Sequence, residues 1–318
     1  GENPTLLSKF GIQATNELTL TISRERFETY ISPLRKNEEN IMNVIGIGAA
    51  GCKIADLFCV LPQYKVFCID TENEGYENFV EVKERASHEE YEKEYEDIEL
   101  RDCTGETTVI LCGAGNISGL VLRLLNQLRN NKITILYIKP DLDTIGVESA
   151  MKDRLAFGVL QQYARSNVLS RMFIVDNKNI ESILESVSIK NYWGDINKII
   201  FSTYNMFNVY ENNEPLLSTF SIIGSTSKIA TLGVVNYDTF KEKRFYDLKK
   251  TRFRRYYFAI NEDSINKEKD LLPTIRNFVK EQSGENTNAA FAIYSTEYPH
   301  NYVYSAHFAS MVQGENIS

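Results

Sequence analysis

The chain has 318 residues, a formal net charge of −8 and three dispersed histidines, His88, His300 and His307. That length suits two domains, or one large α/β domain with an addition. The acidic balance argues against a nucleic-acid partner, and no apolar run is long enough to span a membrane. The five cysteines, Cys52, Cys59, Cys68, Cys103 and Cys112, are odd in number and form no C-x-x-C pair. They read as reduced thiols of a cytoplasmic protein, with neither a disulfide framework nor a metal site.

Residues 1–40 stand apart as an arm. Within it, Leu18-Thr19-Leu20-Thr21-Ile22 alternates like a strand. The arm either packs on its own domain or reaches a neighbouring subunit. Met42 to Ile47 then reads as a buried strand. It passes through a glycine turn, Gly46-Ile47-Gly48-Ala49-Ala50-Gly51, into apolar Ile54, Leu57, Phe58 and Leu61 at helical spacing. A strand, a glycine turn and a helix start together form an anion site. The first helical N–H groups lack partners within the helix, and small residues let phosphate oxygens approach them.

Val66 to Ile69 is a second buried strand, followed by Asp70-Thr71-Glu72-Asn73. An acid there either meets a nucleotide's sugar or phosphate loop, or simply makes a turn. Residues 81–102 are strongly acidic and read as a solvated helix or loop. Strand 107–112 opens into a second glycine turn, Gly113-Ala114-Gly115-Asn116-Ile117-Ser118-Gly119, and a helix marked by Leu120, Leu124 and Leu128. Strand 133–138 leads to Lys139-Pro140-Asp141. A helix with Met151, Leu155, Val159 and Tyr163 as its stripe follows. Strand 172–175 ends at Asp176-Asn177.

This alternation predicts a parallel, doubly wound α/β sheet over 41–190, with all of these turns at the carboxyl edge where ligands bind. A connecting helix is expected over 192–210, with Trp193, Ile196, Ile200, Tyr204 and Phe207 as its stripe, inside a connecting region 191–220. Strands at 229–235, 256–260, 289–294 and 302–308 and a helix at 271–279 predict a smaller α/β domain over 221–318. The cluster Lys249-Lys250-Thr251-Arg252-Phe253-Arg254-Arg255 is the exception to the acidic balance. It reads as a solvated strand start or a protein contact, with nucleic acid a minority alternative.

Taken in this order, residues 42 to 312 resemble the tubulin/FtsZ superfamily. The turn Gly46–Gly51 is similar to the family's first phosphate loop, and Asp70-Thr71-Glu72 to its second. Gly113–Gly119 stands where the family carries its glycine-rich signature loop. Lys139-Pro140 and the segments 289–293 and 302–306 also match. The resemblance implies GTP or GDP as cofactor. It would be held by Gly46, Gly48, Ala49, Ala50 and Gly51, by Asp70 and Thr71, and by Gly113, Ala114, Gly115, Asn116, Ser118 and Gly119. Asn177 stands where the family reads guanine. The resemblance also implies head-to-tail assembly with copies of the same chain.

Two departures accompany the match. Asn116 replaces a threonine of the signature loop, and Ile117 replaces a glycine. A β-branched residue disfavours positive φ and adds bulk where the ligand would lie. The candidate catalytic loop, Asn212-Asn213-Glu214-Pro215-Leu216-Leu217, keeps an amide, Asn212, and one acid, Glu214, but has Leu217 where the second acid belongs. Read without the family, the same segment is an ordinary helix end with a proline stop.

Three functions follow as expectations. The first is a tubulin-like assembling protein that binds guanine nucleotide and hydrolyses it weakly or not at all. The second is a subunit of a larger assembly, for example of a phage or its infected host, that has lost the nucleotide. The third is an NAD- or FAD-dependent enzyme that uses the first glycine turn and Asp70.

Overall fold

The computed structural model describes residues 41–94, 96–184, 192–296 and 299–314. The expected N-terminal arm lies outside them. The chain divides into two units, one ending at Lys178 and one over Asn179–Gln313.

The first unit is built on β1 (Met42–Ile47), β2 (Tyr64–Asp70), β3 (Phe79–Glu81), β4 (Glu106–Cys112), β5 (Lys132–Lys139) and β6 (Arg171–Asp176). All pair in parallel, in the order β3-β2-β1-β4-β5-β6. Their runs of Val, Ile, Leu and Phe are buried without alternation, as parallel strands covered on both faces require. Helices α1 (Gly48–Asp56), α2 (His88–Lys93), α3 (Leu120–Gln127) and α4 (Val147–Arg165) connect them. The chain winds outward from β1 to β3 and then crosses back to β4. The strand order therefore reverses between β1 and β4, where a doubly wound sheet opens a crevice. The register Ile47↔Leu111 sets the two glycine turns level at its mouth.

Two expectations fail here and one strand is new. The stripe on α4 is on the wrong side: Met151 and Leu155 are exposed, and the buried face is Asp153, Ala156, Phe157, Leu160, Gln161 and Ala164. The helix carries apolar residues on two faces, and periodicity alone does not choose between them. The acidic stretch is not all solvated. Ser87 caps α2 by accepting from Glu90 N at 3.2 Å, and Tyr91 is buried. Glu94 is bound between Arg85 and Arg123, the latter at 3.0 Å. Strand β3 was not foreseen, because three residues carry no period.

The second unit opens within α5 (Asn177–Glu181) and continues with α6 (Tyr192–Glu211), β7 (Ile229–Val235), β8 (Glu242–Arg244), β9 (Thr251–Asn261), α7 (Glu262–Lys267), α8 (Leu271–Gln282), β10 (Asn288–Thr296) and β11 (Tyr302–Ala309). Strand β11 runs antiparallel to β7 and β9, β10 joins β9 in parallel, and β8 pairs with β7. Helix α8 lays Ile275, Phe278 and Val279 on Tyr256, Phe258 and Ile260. Along α6 the expected stripe holds except at its start, where Trp193 is exposed. The basic cluster is not one surface. Arg255 is buried, with Nη1 donating to Glu211 at 3.0 Å, and Arg254 donates to the carbonyl of Gln282 at 3.2 Å.

Candidate functional site

The first turn opens α1 without closing it off. Ile47, the residue before the helix, is extended and supplies no capping side chain, and no acid stands in the first helical turn. Gly48 lies at φ +70°, a conformation that favours glycine. Ala49 and Ala50 are exposed, and no side chain caps the amides of this first helical turn. Further along, α1 presses against the sheet: a Cβ on Gly51 would collide with the carbonyl oxygen of Ile110. The Cys52 thiol reaches the carbonyls of Gly46 and Ile69, each at 3.5 Å. The adjacent Cys68 thiol and burial push its pKa far up, so Cys52 is a packing group and not a nucleophile.

Asp70 ends β2, one residue past the Ile47↔Ile69 pair, at the same edge of the sheet as the first turn. Its Oδ1 accepts from the Thr71 N–H at 2.8 Å. Burial raises the pKa of this half-buried carboxyl against the opposing effect of that N–H.

The second turn is built differently. None of its glycines is left-handed, and Asn116–Gly119 coils as a 3-10 turn. Ile117 therefore fits at ordinary φ, and the backbone strain expected of it does not arise. Its Cγ2 lies 2.8 Å from where a Cβ on Gly48 would stand. The Ser118 hydroxyl is buried and is bound to the turn itself, at 2.7 Å from the Gly115 carbonyl and 3.0 Å from that of Gly113. Asn116 Nδ2 donates to the Ala86 carbonyl at 3.2 Å, while its buried Oδ1 has no partner among the described residues. A Cβ on Gly119 would strike the His88 carbonyl, and one on Gly113 the Tyr137 hydroxyl. These two glycines are thus required by packing, whatever the turn binds.

Beneath this turn lies a cluster that sequence reasoning missed. Asp153 is fully buried; it accepts from the Tyr137 hydroxyl at 2.6 Å and is ion-paired with Lys139. Lys139 also sits 4.4 Å from the centre of the Phe157 ring. Burial, then Asp153, raises the Tyr137 pKa well above its usual value. The available signal was an acid on the helical row shared by Ala156, Phe157, Leu160 and Ala164. Asn177 starts α5 directly after β6, also at the carboxyl edge. It is half-buried and has no side-chain hydrogen-bond partner among the described residues.

Strand order and register thus bring the first turn, Asp70, Thr71 and the second turn to adjoining positions at the carboxyl edge of the sheet, with Asn177 at the end of β6.

In the second unit, the candidate catalytic loop follows α6. Asn212 Nδ2 donates back to the Asn208 carbonyl at 2.8 Å, and Asn213 Nδ2 to that of Val209 at 2.6 Å. Both amides therefore finish the helix. Leu216 and Leu217 are tied to Ile293 of β10 by backbone hydrogen bonds, the shortest 2.7 Å. Glu211 is taken up by Arg255 and by the Tyr257 hydroxyl at 2.5 Å. Glu214 alone in this loop is an exposed acid without a partner among the described residues.

This strand order, with glycine turns at the switch point and a second α/β unit after a long helix, is the tubulin/FtsZ-superfamily fold. Three solved structures carry the likeness. A GTPγS-form protofilament of TubZ from Bacillus thuringiensis serovar israelensis gives a TM-score of 0.65 at 14% identity, covering 94% of this chain and 92% of that one. A GTPγS-bound protofilament of CetZ2 from Haloferax volcanii gives 0.61 at 13% identity, covering 87% and 95%. An FtsZ dimer from M. jannaschii gives 0.57 at 10% identity, covering 89% and 92%. At these identities the likeness establishes the fold. No family model and no curated protein matches the sequence. The likeness runs over both units, which a dinucleotide-enzyme reading of the first turn leaves unexplained.

The residues fit a phosphate group on one side of the crevice. Uncapped amides at Ala49 and Ala50, without a nearby acid in the same helical turn, suit an anion. Opposite them stands the hydrocarbon of Ile117.

Proposed function

We propose that this chain is a self-assembling protein of the tubulin/FtsZ fold that binds a guanine nucleotide at the first glycine turn and hydrolyses it slowly or not at all. The open start of α1, set where the strand order reverses, carries the reading. Phosphates would lie on the amides from Gly48 to Gly51, the sugar near Asp70 and Thr71, and the base near Asn177. Assembly is proposed to be head-to-tail between copies of this chain, in the cytoplasm. Support comes from the whole-length likeness to chains solved as protofilaments.

Hydrolysis would require acids that orient water. Glu214 is the one free acid of the loop, and Leu217, in the place of a second, can neither orient water nor carry a proton. A positioned acid–base group is worth roughly 10²–10⁴-fold in rate. One observation favours a second reading, in which the fold serves as a nucleotide-free subunit of a larger assembly: Ile117 stands against Gly48.

The test is to titrate folded protein with a fluorescent guanine nucleotide and to follow turnover and sedimentation of the wild type and Glu214→Ala. Saturable binding, pelletable assemblies and very slow turnover are expected. No saturable binding with assembly retained moves the conclusion to the second reading. Brisk turnover that survives Glu214→Ala means that the catalytic loop lies elsewhere.

A further inference from the structure

We propose that Ile117 is a steric filter on the nucleotide site, such that the site takes the nucleotide without rewarding its terminal phosphate. This rests on the reading that a guanine nucleotide binds at the glycine turns.

The two walls of the crevice differ in kind. On one side Ala49 and Ala50 present amides with no capping side chain. On the other, Ile117 directs Cγ2 at Gly48, 2.8 Å from the position a Cβ there would take, and lies 4.0 Å from the corresponding position on Gly115. The methyl thus stands between the two turns, where a phosphate held by both would have to pass. It has little room to withdraw. A β-branched side chain is stiff about χ1. The backbone that carries it is held in a 3-10 turn by the Ser118 hydroxyl, bonded to the carbonyls of Gly113 and Gly115.

Phosphate oxygens set against this wall lose water and gain no donor, which is unfavourable for a charged group. Each further phosphate adds charge but finds amides on one side only. A nucleoside triphosphate should then bind no better than the diphosphate, whereas a crevice with donors on both walls would favour it.

The experiment compares GTP, GDP and guanosine by calorimetric titration of wild type, Ile117→Val, Ile117→Ala and Ile117→Gly, with thermal melting of each variant as a folding control. In the wild type, GTP and GDP should bind within a few-fold of one another. Ile117→Val keeps Cγ2 and should match the wild type. Ile117→Ala and Ile117→Gly should raise GTP affinity by roughly tenfold or more, the scale of one hydrogen bond to a charged group, with a smaller gain for GDP and none for guanosine. Ile117→Ala keeps the test open if glycine unfolds the turn. Wild-type binding with equal gains for GTP, GDP and guanosine, or with no gain in either small variant, overturns the filter and leaves the nucleotide reading intact. Absence of binding in every folded variant overturns the nucleotide reading itself, and the filter with it.

Discussion

The two glycine turns begin at the same level of the same sheet, yet they have settled into opposite states. The turn after β1 leaves its helix start uncapped, with Ala49 and Ala50 exposed. The turn after β4 uses its side-chain donors within the fold and leaves one buried acceptor, Asn116 Oδ1, without a partner among the described residues. Its serine hydroxyl is bound to its own carbonyls, its asparagine amide to Ala86, and its outer side is an isoleucine methyl. Similar glycine spacing therefore marks two different things. In the first turn the small residues leave amides open; in the second they let the turn lie on Tyr137 and His88. The loop after α6 resembles the second turn, since its asparagines finish a helix and its leucines hold a strand.

If the second turn is a packed support, the largest effect should come from beneath it. Asp153→Ala leaves Lys139 without its partner and the Tyr137 hydroxyl with only the backbone carbonyl of residue 153, at 3.1 Å, as acceptor, and removal of one member of a buried ion pair costs about 3–5 kcal/mol. Urea unfolding should register that loss. A change below about 1 kcal/mol, the range of an exposed pair, would mean that the cluster is solvated and the turn is not supported from below.

Next in size are the glycines themselves. Gly51→Ala and Gly119→Ala force carbon against a carbonyl oxygen, and overpacking of this kind costs typically about 1–3 kcal/mol. Gly115→Ala meets nothing nearer than 4.0 Å and should stay within about 0.5 kcal/mol of wild type. Equal costs at Gly115 and Gly119 would break the distinction between open and packed positions.

A smaller effect, away from both turns, sharpens the contrast between buried and open polar groups. Glu242 accepts from the Ser305 hydroxyl at 2.7 Å and lies 2.5 Å from the imidazole Nε2 of His307. Burial opposes its charge, but His307, Arg244 and Ser305 outweigh burial and hold the carboxyl down at about 2. Burial also pushes the His307 imidazole below its usual value, against the pull of Glu242. Both groups take up protons more readily in the unfolded chain. Their contribution to stability is therefore present at neutral pH, declines as pH falls below about 6.5 through His307, and declines further below about 4.5 through Glu242. Melting temperature should fall along that course, and His307→Gln should flatten the upper part. A stability that rises on mild acidification would reverse the assignment.

The smallest effect on stability should accompany a large effect on binding. Ala49→Asp puts a carboxylate at the open helix start, where a favourable dipole term of about 0.3–1 kcal/mol nearly offsets the lower helix propensity of aspartate. The fold should be unchanged while nucleotide binding is lost. Retained binding would place the anion elsewhere.

The strands and both glycine turns were legible because buried parallel strands show as unbroken apolar runs and the turns follow them directly. The α4 face was not, because Met151 and Leu155 repeat as regularly as Ala156 and Leu160, and only the sheet decides which row is covered. Strands β3 and β8, three residues each, carry no period. Charge patterns misled where partners are distant in sequence. Glu94 is held by Arg85 and Arg123, and Arg255 by Glu211, and nothing local marks either pair. At the site, the placing of both glycine turns, Asp70 and Asn177 at the carboxyl ends of their strands was readable, but the state of the second turn was not. It depends on the 3-10 coil that lets Ile117 sit at ordinary φ and lean on Gly48.

Under the proposed function, copies of this chain assemble while hydrolysing GTP slowly or not at all. The most direct measurement follows sedimentation and phosphate release together in one sample of wild-type protein with GTP. Pelletable assemblies should reach their plateau before one phosphate per chain has been released. Phosphate release that rises in step with assembly and falls when Glu214 is replaced would contradict the proposed function.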